Sequence, residues 1–296
     1  MSERWLVTGA LGCLGAWTVA TLAREGSAVV GLDLGSDNRR LRLVALPEEV
    51  KQVTLVRGDI TEAKTVAHTL AEYEITHVVH LAALQVPFCK ADPVLGAHVN
   101  VTGTVNVFEA AKQQGLATPI AYASSAAVYD EHGAVAPRTL YGVYKLANEG
   151  LAQVYWRDDG VASVGLRPFS VYGPGRDQGL TAGPTLAIDA AVRGKPYRIG
   201  FGGRTQLHYA PDVARAFIRA ARSEPTGAQA FSLGVPATAI ADFVTALEAE
   251  VPGAEITFED APLPFPDELP EPRFDSPLTP LDQGIHETAE VLRGVV

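Results

Sequence analysis

The chain has 296 residues, of which 47% are hydrophobic and 20% are charged. That length accommodates one large domain or two smaller ones, and the composition excludes a disordered, collagen-like or disulfide-stapled chain. Lysine and arginine number 24 against 34 acidic residues, so the net charge is −10, which argues against nucleic acid or an anionic membrane surface as a partner.

Short apolar runs alternate with longer amphipathic stretches through the first 175 residues. The runs are apolar throughout, which is typical of strands that are covered on both faces. Alternation with helices implies parallel pairing through right-handed crossovers, so we predict a doubly wound α/β sheet of the Rossmann type. The predicted strands are Trp5–Thr8, Ala28–Asp33, Val53–Arg57, His77–Leu81, Ile120–Ser124 and Ser163–Arg167, and the predicted helices are Leu14–Glu25, Ala63–Tyr73, Val94–Gln114 and Tyr141–Asp158.

The second part of the chain has a less regular pattern. Residues 261–280 carry seven prolines, which are incompatible with regular structure. Asp212 is placed to cap a helix that runs through Arg222. The other predicted elements are helices at Thr185–Arg193, Ala239–Glu250 and Leu281–Arg293, and strands at Gln206–Tyr209, Phe231–Leu233 and Ile256–Phe258.

These patterns predict two structural units. Residues 1–175 form the dinucleotide-binding Rossmann domain, to which residues 205–222 return. Residues 176–204 and 223–296 form a smaller α/β substrate-binding cap over the carboxyl edge of the sheet, where open α/β folds bind ligands.

The N-terminus, MSERWLVTGA, lacks the basic and apolar regions of a signal peptide. No apolar run approaches the ~20 residues that a membrane span requires, and two cysteines, Cys13 and Cys89, do not make a disulfide framework. We therefore expect a soluble, cytoplasmic protein.

The first strand leads into a glycine-rich turn that reads TGALGCLG over residues 8–15. Glycines there allow a tight bend and let backbone N–H groups approach a pyrophosphate, and the following helix N-terminus adds partial positive charge. The pattern predicts a dinucleotide site, with contacts from Gly9, Leu11, Gly12, Cys13, Leu14 and Gly15.

Acidic residues follow the second and third strands. Asp33 is placed to accept hydrogen bonds from an adenosine ribose and would repel a 2′-phosphate, so NAD is favoured over NADP. Arg39 and Arg40 either bind such a phosphate or belong to a solvated loop. Asp59 and Ile60 are placed to contact the adenine, although Asp59 is equally suited to a turn or a helix N-cap.

Tyr141 and Lys145 are spaced to lie on one face of a helix. A nearby ammonium favours the phenolate and lowers a tyrosine pKa, so Tyr141 is a candidate acid or base for a substrate oxygen. Ser124 and Ser125 end a predicted strand at the ligand-binding edge, where a hydroxyl can hold that oxygen.

Together these motifs resemble the extended short-chain dehydrogenase/reductase family, and most closely its NAD-dependent sugar epimerase and dehydratase branch. The resemblance covers Trp5–Gly175, and the residues near Thr279–Ile285 resemble the closing helix of the family. It rests on the glycine turn, Asp33, Asp59-Ile60, His80-Leu81-Ala82-Ala83, Asn100, SSAAVY at 124–129, YGVYK at 141–145 and RPFSVYGPG at 167–175.

The resemblance implies roles for the matched residues. Tyr141 would be the acid/base, Lys145 would lower its pKa and hold the nicotinamide ribose, and Ser125 would position the substrate oxygen. Further cofactor contacts would come from Leu81, Ala82, Ala83, Asn100, Ser124, Pro168 and Phe169, and substrate contacts from Ser170, Arg176 and Arg204. It also implies a homodimer through the helices Val94–Gln114 and Tyr141–Asp158.

Other features of the sequence bear on which reaction and which ligands we expect. Ala126 and Ala127 stand where dehydratases of the family carry Asp-Glu, so dehydration is disfavoured. Ser170 replaces a usual asparagine, and the proline-rich residues 261–280 occupy a region that often contacts a nucleotide. No CxxC, HExxH or EF-hand motif is present, so we expect no metal. His208 either reaches the cleft or is a structural histidine with satisfied hydrogen bonds.

Three functions remain open. The favoured one is an NAD-dependent epimerase that acts on a sugar or nucleotide-sugar by transient hydride transfer. The second is an NAD-dependent dehydrogenase of a sugar, sugar acid or other small hydroxy compound that releases NADH. The third is a non-catalytic NAD sensor, against which the complete Ser125, Tyr141 and Lys145 set argues.

Overall fold

An eight-stranded sheet, parallel at every pairing, forms the centre of the molecule in the computed structural model, which describes residues 2–224, 226–276 and 278–295. Its strands are β1 (Arg4–Thr8), β2 (Ala28–Asp33), β3 (Thr54–Arg57), β4 (His77–His80), β5 (Ile120–Ala123), β6 (Ser163–Arg167), β10 (Ala228–Leu233) and β13 (Arg273–Phe274), in the order β13-β10-β6-β5-β4-β1-β2-β3. The predicted doubly wound fold is confirmed.

Helices cover both faces of this sheet. Along β1, Trp5 and Val7 face a core that includes Phe217, whereas Leu6 faces another core that includes Phe108. Because both faces are buried, the strand is apolar at successive positions. The helices are α1 (Cys13–Arg24), α2 (Arg39–Val44), α3 (Pro47–Gln52), α4 (Ala63–Glu72), α5 (Val86–Ala91), α6 (Pro93–Ala97), α7 (Gly103–Gln114), α8 (Leu140–Asp159), α9 (Gly183–Val192), α10 (Ala210–Ala221), α11 (Ile240–Glu250) and α12 (Leu281–Arg293).

Two small sheets and a third core lie beside the large sheet. The remaining strands are β7 (Ser170–Tyr172), β8 (Tyr197–Ile199), β9 (Arg204–Tyr209), β11 (Ala237–Ala239) and β12 (Ile256–Phe258). One small sheet has the order β11-β9-β7, and the other pairs β12 with β8. The core packs α9, α11 and α12 together through residues such as Ile188, Phe243 and Ile285.

The predicted helix Val94–Gln114 is interrupted. A turn of π-helix at His98–Thr102 separates α6 from α7. There, Asn100 donates a side-chain hydrogen bond to the Gly96 carbonyl oxygen at 2.9 Å, and its own backbone carbonyl accepts hydrogen bonds from two side chains, Thr104 and Asn148. These side-chain partners compete with the regular helical ladder, which the amphipathic pattern did not reveal.

Two further predictions were wrong in detail. Asp212 does not cap α10, because the helix begins two residues earlier and the Asp212 carboxylate accepts from the Thr279 backbone N–H instead. The proline-rich segment contains a short strand, β13, that pairs with β10; its Pro277 lies outside the described residues. The strand can form within this segment because neither of its two residues, Arg273 and Phe274, is a proline.

The division of the chain also needs one correction. Residues 223–296 were assigned to the cap, but β10 lies in the large sheet beside β6. The return of α10 to the first unit is visible in its packing, because Val213 and Phe217 share a core with Trp17 of α1. The division into two units otherwise stays a prediction.

Candidate active site

The glycine turn connects β1 to α1 as predicted. Gly9 has φ +67°, and a Cβ there would lie 2.8 Å from the Ala82 backbone nitrogen, so only glycine fits. A Cβ at Gly15 would overlap the carbonyl oxygen of Gly9. The N-cap residue of α1 is Gly12, and the described residues show no side-chain hydrogen bond at this cap. The N–H groups of the first turn are therefore available to a phosphate.

Asp33 lies beside this turn at the end of β2. Its Oδ2 accepts a hydrogen bond from the Leu11 N–H at 2.9 Å, and its Oδ1 accepts one from the Gly35 N–H at 2.9 Å. The residue is only half-buried, so its remaining lone pairs are accessible to a ligand. This arrangement fits a ribose with a free 2′-hydroxyl.

Other predicted cofactor residues follow neighbouring strands of the same sheet. Asp59 Oδ1 accepts from both the N–H and the hydroxyl of Thr61 at 2.8 Å, so the turn alternative is present and the adenine contact stays a prediction. Leu81, Ala82 and Ala83 follow β4 directly and are half-buried. The Leu81 N–H donates to the Thr8 carbonyl oxygen at 3.1 Å, which holds this segment against the glycine turn.

The structure brings Ser125, Tyr141 and Lys145 together. Tyr141 and Lys145 lie one turn apart in α8, with the Lys145 Nζ 5.5 Å from the centroid of the Tyr141 ring. The Ser125 hydroxyl acts to lower the pKa of the Tyr141 phenol, and Lys145 donates a hydrogen bond to the Ala123 carbonyl oxygen at 2.7 Å. The end of β5 and the N-terminal part of α8 therefore lie next to each other, and the three side chains meet there.

The electrostatics of this cluster differ from our expectation. Burial raises the pKa of Tyr141 above its usual value, while the Ser125 hydroxyl and the Arg176 cation act to lower it. Burial also lowers the pKa of Lys145 to about 8. The prediction that Lys145 sets a low tyrosine pKa was therefore wrong for this structure: the dominant effect is desolvation, and the opposing cation is Arg176.

A buried ion pair behind the cluster escaped the sequence analysis. Arg167 donates from Nε and Nη2 to the two carboxylate oxygens of Glu149, each at 2.7 Å. Ser124 donates to the same carboxylate at 2.5 Å, and Tyr129 accepts from Arg167 at 2.6 Å. The sequence carried one signal for this pair: Glu149 comes four residues after Lys145 and therefore lies on the same face of α8. Ser124 is thus hydrogen-bonded to this ion pair, and its contact with the cofactor stays a prediction.

Asn100 is fully buried beside this cluster. Its amide donates to the Gly96 oxygen at 2.9 Å and to the Leu84 oxygen at 3.2 Å. Its Oδ1 has no partner among the described residues. A cofactor or proton-relay role for Asn100 stays a prediction.

The predicted substrate residues occupy different environments. Arg176 is half-buried, donates to the Thr181 hydroxyl at 3.3 Å, and has a buried Nε without a partner in the described ranges. Arg204 is exposed and donates to the Ala237 oxygen at 2.7 Å. Ser170 is fully buried, with its hydroxyl 3.0 Å from that of Thr205. Of the three, Arg176 is the one whose charge acts on Tyr141.

Near Pro168 and Phe169, the wall of the candidate active site is formed partly by the proline-rich segment. The rings of Phe169 and Phe265 meet edge to face, with centroids 5.3 Å apart. Pro168 is half-buried, and its carbonyl oxygen accepts from the Ala126 N–H at 3.0 Å. Both residues therefore adjoin the loop that carries Ser125.

Two further observations concern the described residues as a whole. Across them, no three His, Cys, Asp or Glu side chains are grouped so as to hold a metal ion. Nor does any helix in these ranges combine the length and apolar character needed to cross a membrane.

Comparisons with known proteins identify the family to which the chain is similar. The family model of the NAD dependent epimerase/dehydratase family matches residues 5–234. The UDP-glucose 4-epimerase of Mycolicibacterium smegmatis is 32% identical over 313 residues, which cover 98% of each chain. The solved structure of the Thermus thermophilus UDP-glucose 4-epimerase in complex with NAD has a TM-score of 0.79 at 28% identity, covering 99% of this chain and 100% of that one.

A plant relative matches only in part. UDP-glucuronate 4-epimerase 3 of Arabidopsis thaliana is 36% identical over 184 residues, which are 57% of this chain and 42% of the relative. The chain thus spans about half or less of the length of the plant relatives that it matches.

Proposed function

Since the chain belongs to the NAD dependent epimerase/dehydratase family, within the extended short-chain dehydrogenases/reductases, we propose that it is an NAD-dependent epimerase of a sugar or nucleotide-sugar. NAD is the cofactor of this family, and the glycine turn and Asp33 fit it. The observation that carries the proposal is the convergence of Ser125, Tyr141 and Lys145 at the carboxyl edge of the sheet.

The three side chains divide the proton chemistry. Bound NAD supplies the redox step by accepting and returning a hydride. The Ser125 hydroxyl, held by its hydrogen bond from the Ala127 N–H at 3.1 Å, positions the substrate oxygen. Tyr141 removes the proton from that oxygen and later returns it. Lys145, charged below a pH of about 8, would hold the ribose of the nicotinamide beside the phenol.

Arg176 supports an anionic substrate. Its Nε, for which the described part of the chain provides no partner, lies in the loop after β7, and the charge of Arg176 acts on both Cys13 of the glycine turn and Tyr141. A cation between these two points suits a diphosphate or a carboxylate on the substrate. The names of the relatives, UDP-glucose and UDP-glucuronate 4-epimerases, support a nucleotide-linked sugar.

Two observations favour the second candidate, a dehydrogenase of a small hydroxy compound. Phe265 of the proline-rich segment packs on Phe169, in the region where a nucleotide contact was expected. Ser170 and Arg204 also already have protein partners. A site in which these residues already contact other parts of the protein suits a substrate without a nucleotide.

One assay separates these functions. The full-length protein is incubated with catalytic NAD and a panel of UDP-glucose, UDP-glucuronate and small sugar acids, while NADH absorbance and the product isomers are followed. Isomerisation without accumulation of NADH is expected. Stoichiometric NADH overturns the epimerase in favour of the dehydrogenase, and NAD binding without turnover on any substrate would favour the sensor.

We also propose a cytoplasmic homodimer. Val94 and Leu95 of α6 are 69% and 48% exposed, and Val143 of α8 is 46% exposed. The two helices are in contact, since Tyr144 of α8 donates to the Pro93 oxygen at 2.9 Å. An exposed apolar face of this kind suits association with a second copy of the chain.

A further inference from the structure

A cavity of about 300 Å³ lies apart from the candidate active site. It is lined by β9, the first turns of α10, the residues after β10 and residues 276 and 278–281. Its lining does not include Ser125, Tyr141 or Lys145. Most of the wall is apolar, as shown by Leu207, Val213, Ala216, Leu233, Val235 and Leu278.

His208, like Ser276, is a polar lining residue whose side chain lacks a hydrogen-bond partner among the described residues. It is 1% exposed and lines the wall, and neither of its ring nitrogens has a hydrogen-bond partner among the described residues. His80, equally buried in the large sheet, is satisfied at both nitrogens, by Thr8 at 2.7 Å and Thr104 at 3.1 Å. A buried polar group without a partner is destabilising, so we look for the partner of His208 outside the residues that the structure describes.

The charges around the cavity exclude an ionic partner. Burial lowers the pKa of His208 to about 3, so its ring is neutral and offers one donor and one acceptor. The one carboxylate in the lining, Asp212, accepts from the N–H and hydroxyl of Thr279 at 2.7 and 2.9 Å and pairs with Arg215. Its charge is therefore already compensated, so Asp212 offers no free charge to a cation, and the apolar wall does not solvate an anion.

We propose that this cavity is a binding site for a small uncharged molecule with an apolar body and a hydroxyl group, and that the hydroxyl pairs with His208. A dry apolar cavity of roughly 150 Å³ is large enough for benzene. The cavity here is twice that size, so it has room for an aromatic ring with a substituent. The site is independent of the proposed epimerase reaction.

Benzyl alcohol is the probe, and benzoate and benzylamine are its charged counterparts. The full-length protein with NAD is titrated with each, and the ring signals of His208 are followed by NMR. We expect these ring signals to shift saturably with benzyl alcohol and not to shift with benzoate or benzylamine. Crystals soaked in benzyl alcohol should show the molecule in the cavity; ordered water alone at His208 would overturn the proposal.

Variants test the hydrogen bond and the cavity separately. His208→Leu should weaken binding about tenfold, the value of one hydrogen bond of typical strength. Ala216→Phe, which fills the cavity from α10 and leaves His208 in place, should abolish binding. His68→Leu, on the exposed side of α4, is the control. Unchanged affinity in both cavity variants, or equal binding of benzoate, would overturn the proposal.

Discussion

Arg40 donates two hydrogen bonds to Oδ1 of Asp177, from Nη2 at 2.6 Å and from Nε at 3.1 Å. The pair joins α2 to the loop after β7 across 137 residues of sequence. Trp17 reinforces the connection through a hydrogen bond from Nε1 to the Pro174 oxygen at 2.9 Å. This loop is thus held against the glycine turn, and it carries Arg176 toward Tyr141.

Replacement of Arg176 by methionine tests that placement. Because the cation acts to lower the pKa of Tyr141, its loss should shift the rise of kcat with pH to higher pH. The KM for an anionic substrate should also increase about tenfold, as expected for a lost charge-assisted hydrogen bond. Arg193→Met, on an exposed pair with Asp189, is the control. A pH profile and KM like those of the wild type would remove Arg176 from the site.

Tyr141→Phe should abolish the proton transfer and leave the cofactor site intact. Turnover is expected to fall by ~10² or more, whereas NAD affinity, measured by titration, stays near that of the wild type. Tyr144→Phe removes a nearby phenol that donates to the Pro93 oxygen and should retain activity. Undiminished turnover in Tyr141→Phe contradicts the proposed mechanism.

Asp33→Ala should weaken NAD binding and relax the discrimination against NADP. The carboxylate lies at the edge of the glycine turn, hydrogen-bonded to the Leu11 N–H, where it would repel a 2′-phosphate. Dissociation constants for both cofactors provide the measurement, with Asp37→Ala in the exposed segment after β2 as the control. Equal use of NADP by the wild-type protein would refute this role of Asp33.

Lys145 should make stability depend on pH in the alkaline range. Burial lowers its pKa from 10.5 to about 8 in the folded state, so between these values the unfolded chain binds more protons. The free energy of unfolding therefore rises with pH from about 8 to 10.5, and the destabilisation is fully present below 8. Relative to Lys145→Met, the wild type should gain about 3 kcal/mol across this window.

Denaturant titrations of the cofactor-free protein at each pH measure this difference. Lys195→Met, on an exposed turn after α9, is the control substitution. A difference between the wild type and Lys145→Met that is constant with pH would mean that Lys145 is not desolvated in the folded protein.

Sedimentation tests the proposed homodimer. The wild type should sediment as a dimer, and Leu95→Glu should shift it to a monomer because it places a charge in the apolar contact. Val135→Glu changes an apolar residue that is 56% exposed and lies outside these helices, and should leave the dimer intact. A wild-type chain that remains monomeric at high concentration would contradict the assignment.

Much of the cofactor site could be predicted because its determinants are local. The glycines at positions 9 and 15 are required by the bend itself, and Tyr141 and Lys145 meet because they are one helical turn apart. The Tyr141 pKa could not be predicted in the same way. It depends on how much water the fold removes from the phenol and on Arg176, 35 positions further along the chain.

Residue order was enough to predict the six leading strands, the glycine turn, the Tyr141–Lys145 spacing and the family, since hydrophobic periodicity and backbone conformation are short-range properties. Which side chains share a buried environment became visible only in the folded molecule. The fold placed Glu149 against Arg167, Arg40 against Asp177, and His208 in a cavity without a partner among the described residues. Burial and long-range pairing emerge when distant segments pack and exclude water, and no local pattern encodes the distance between them.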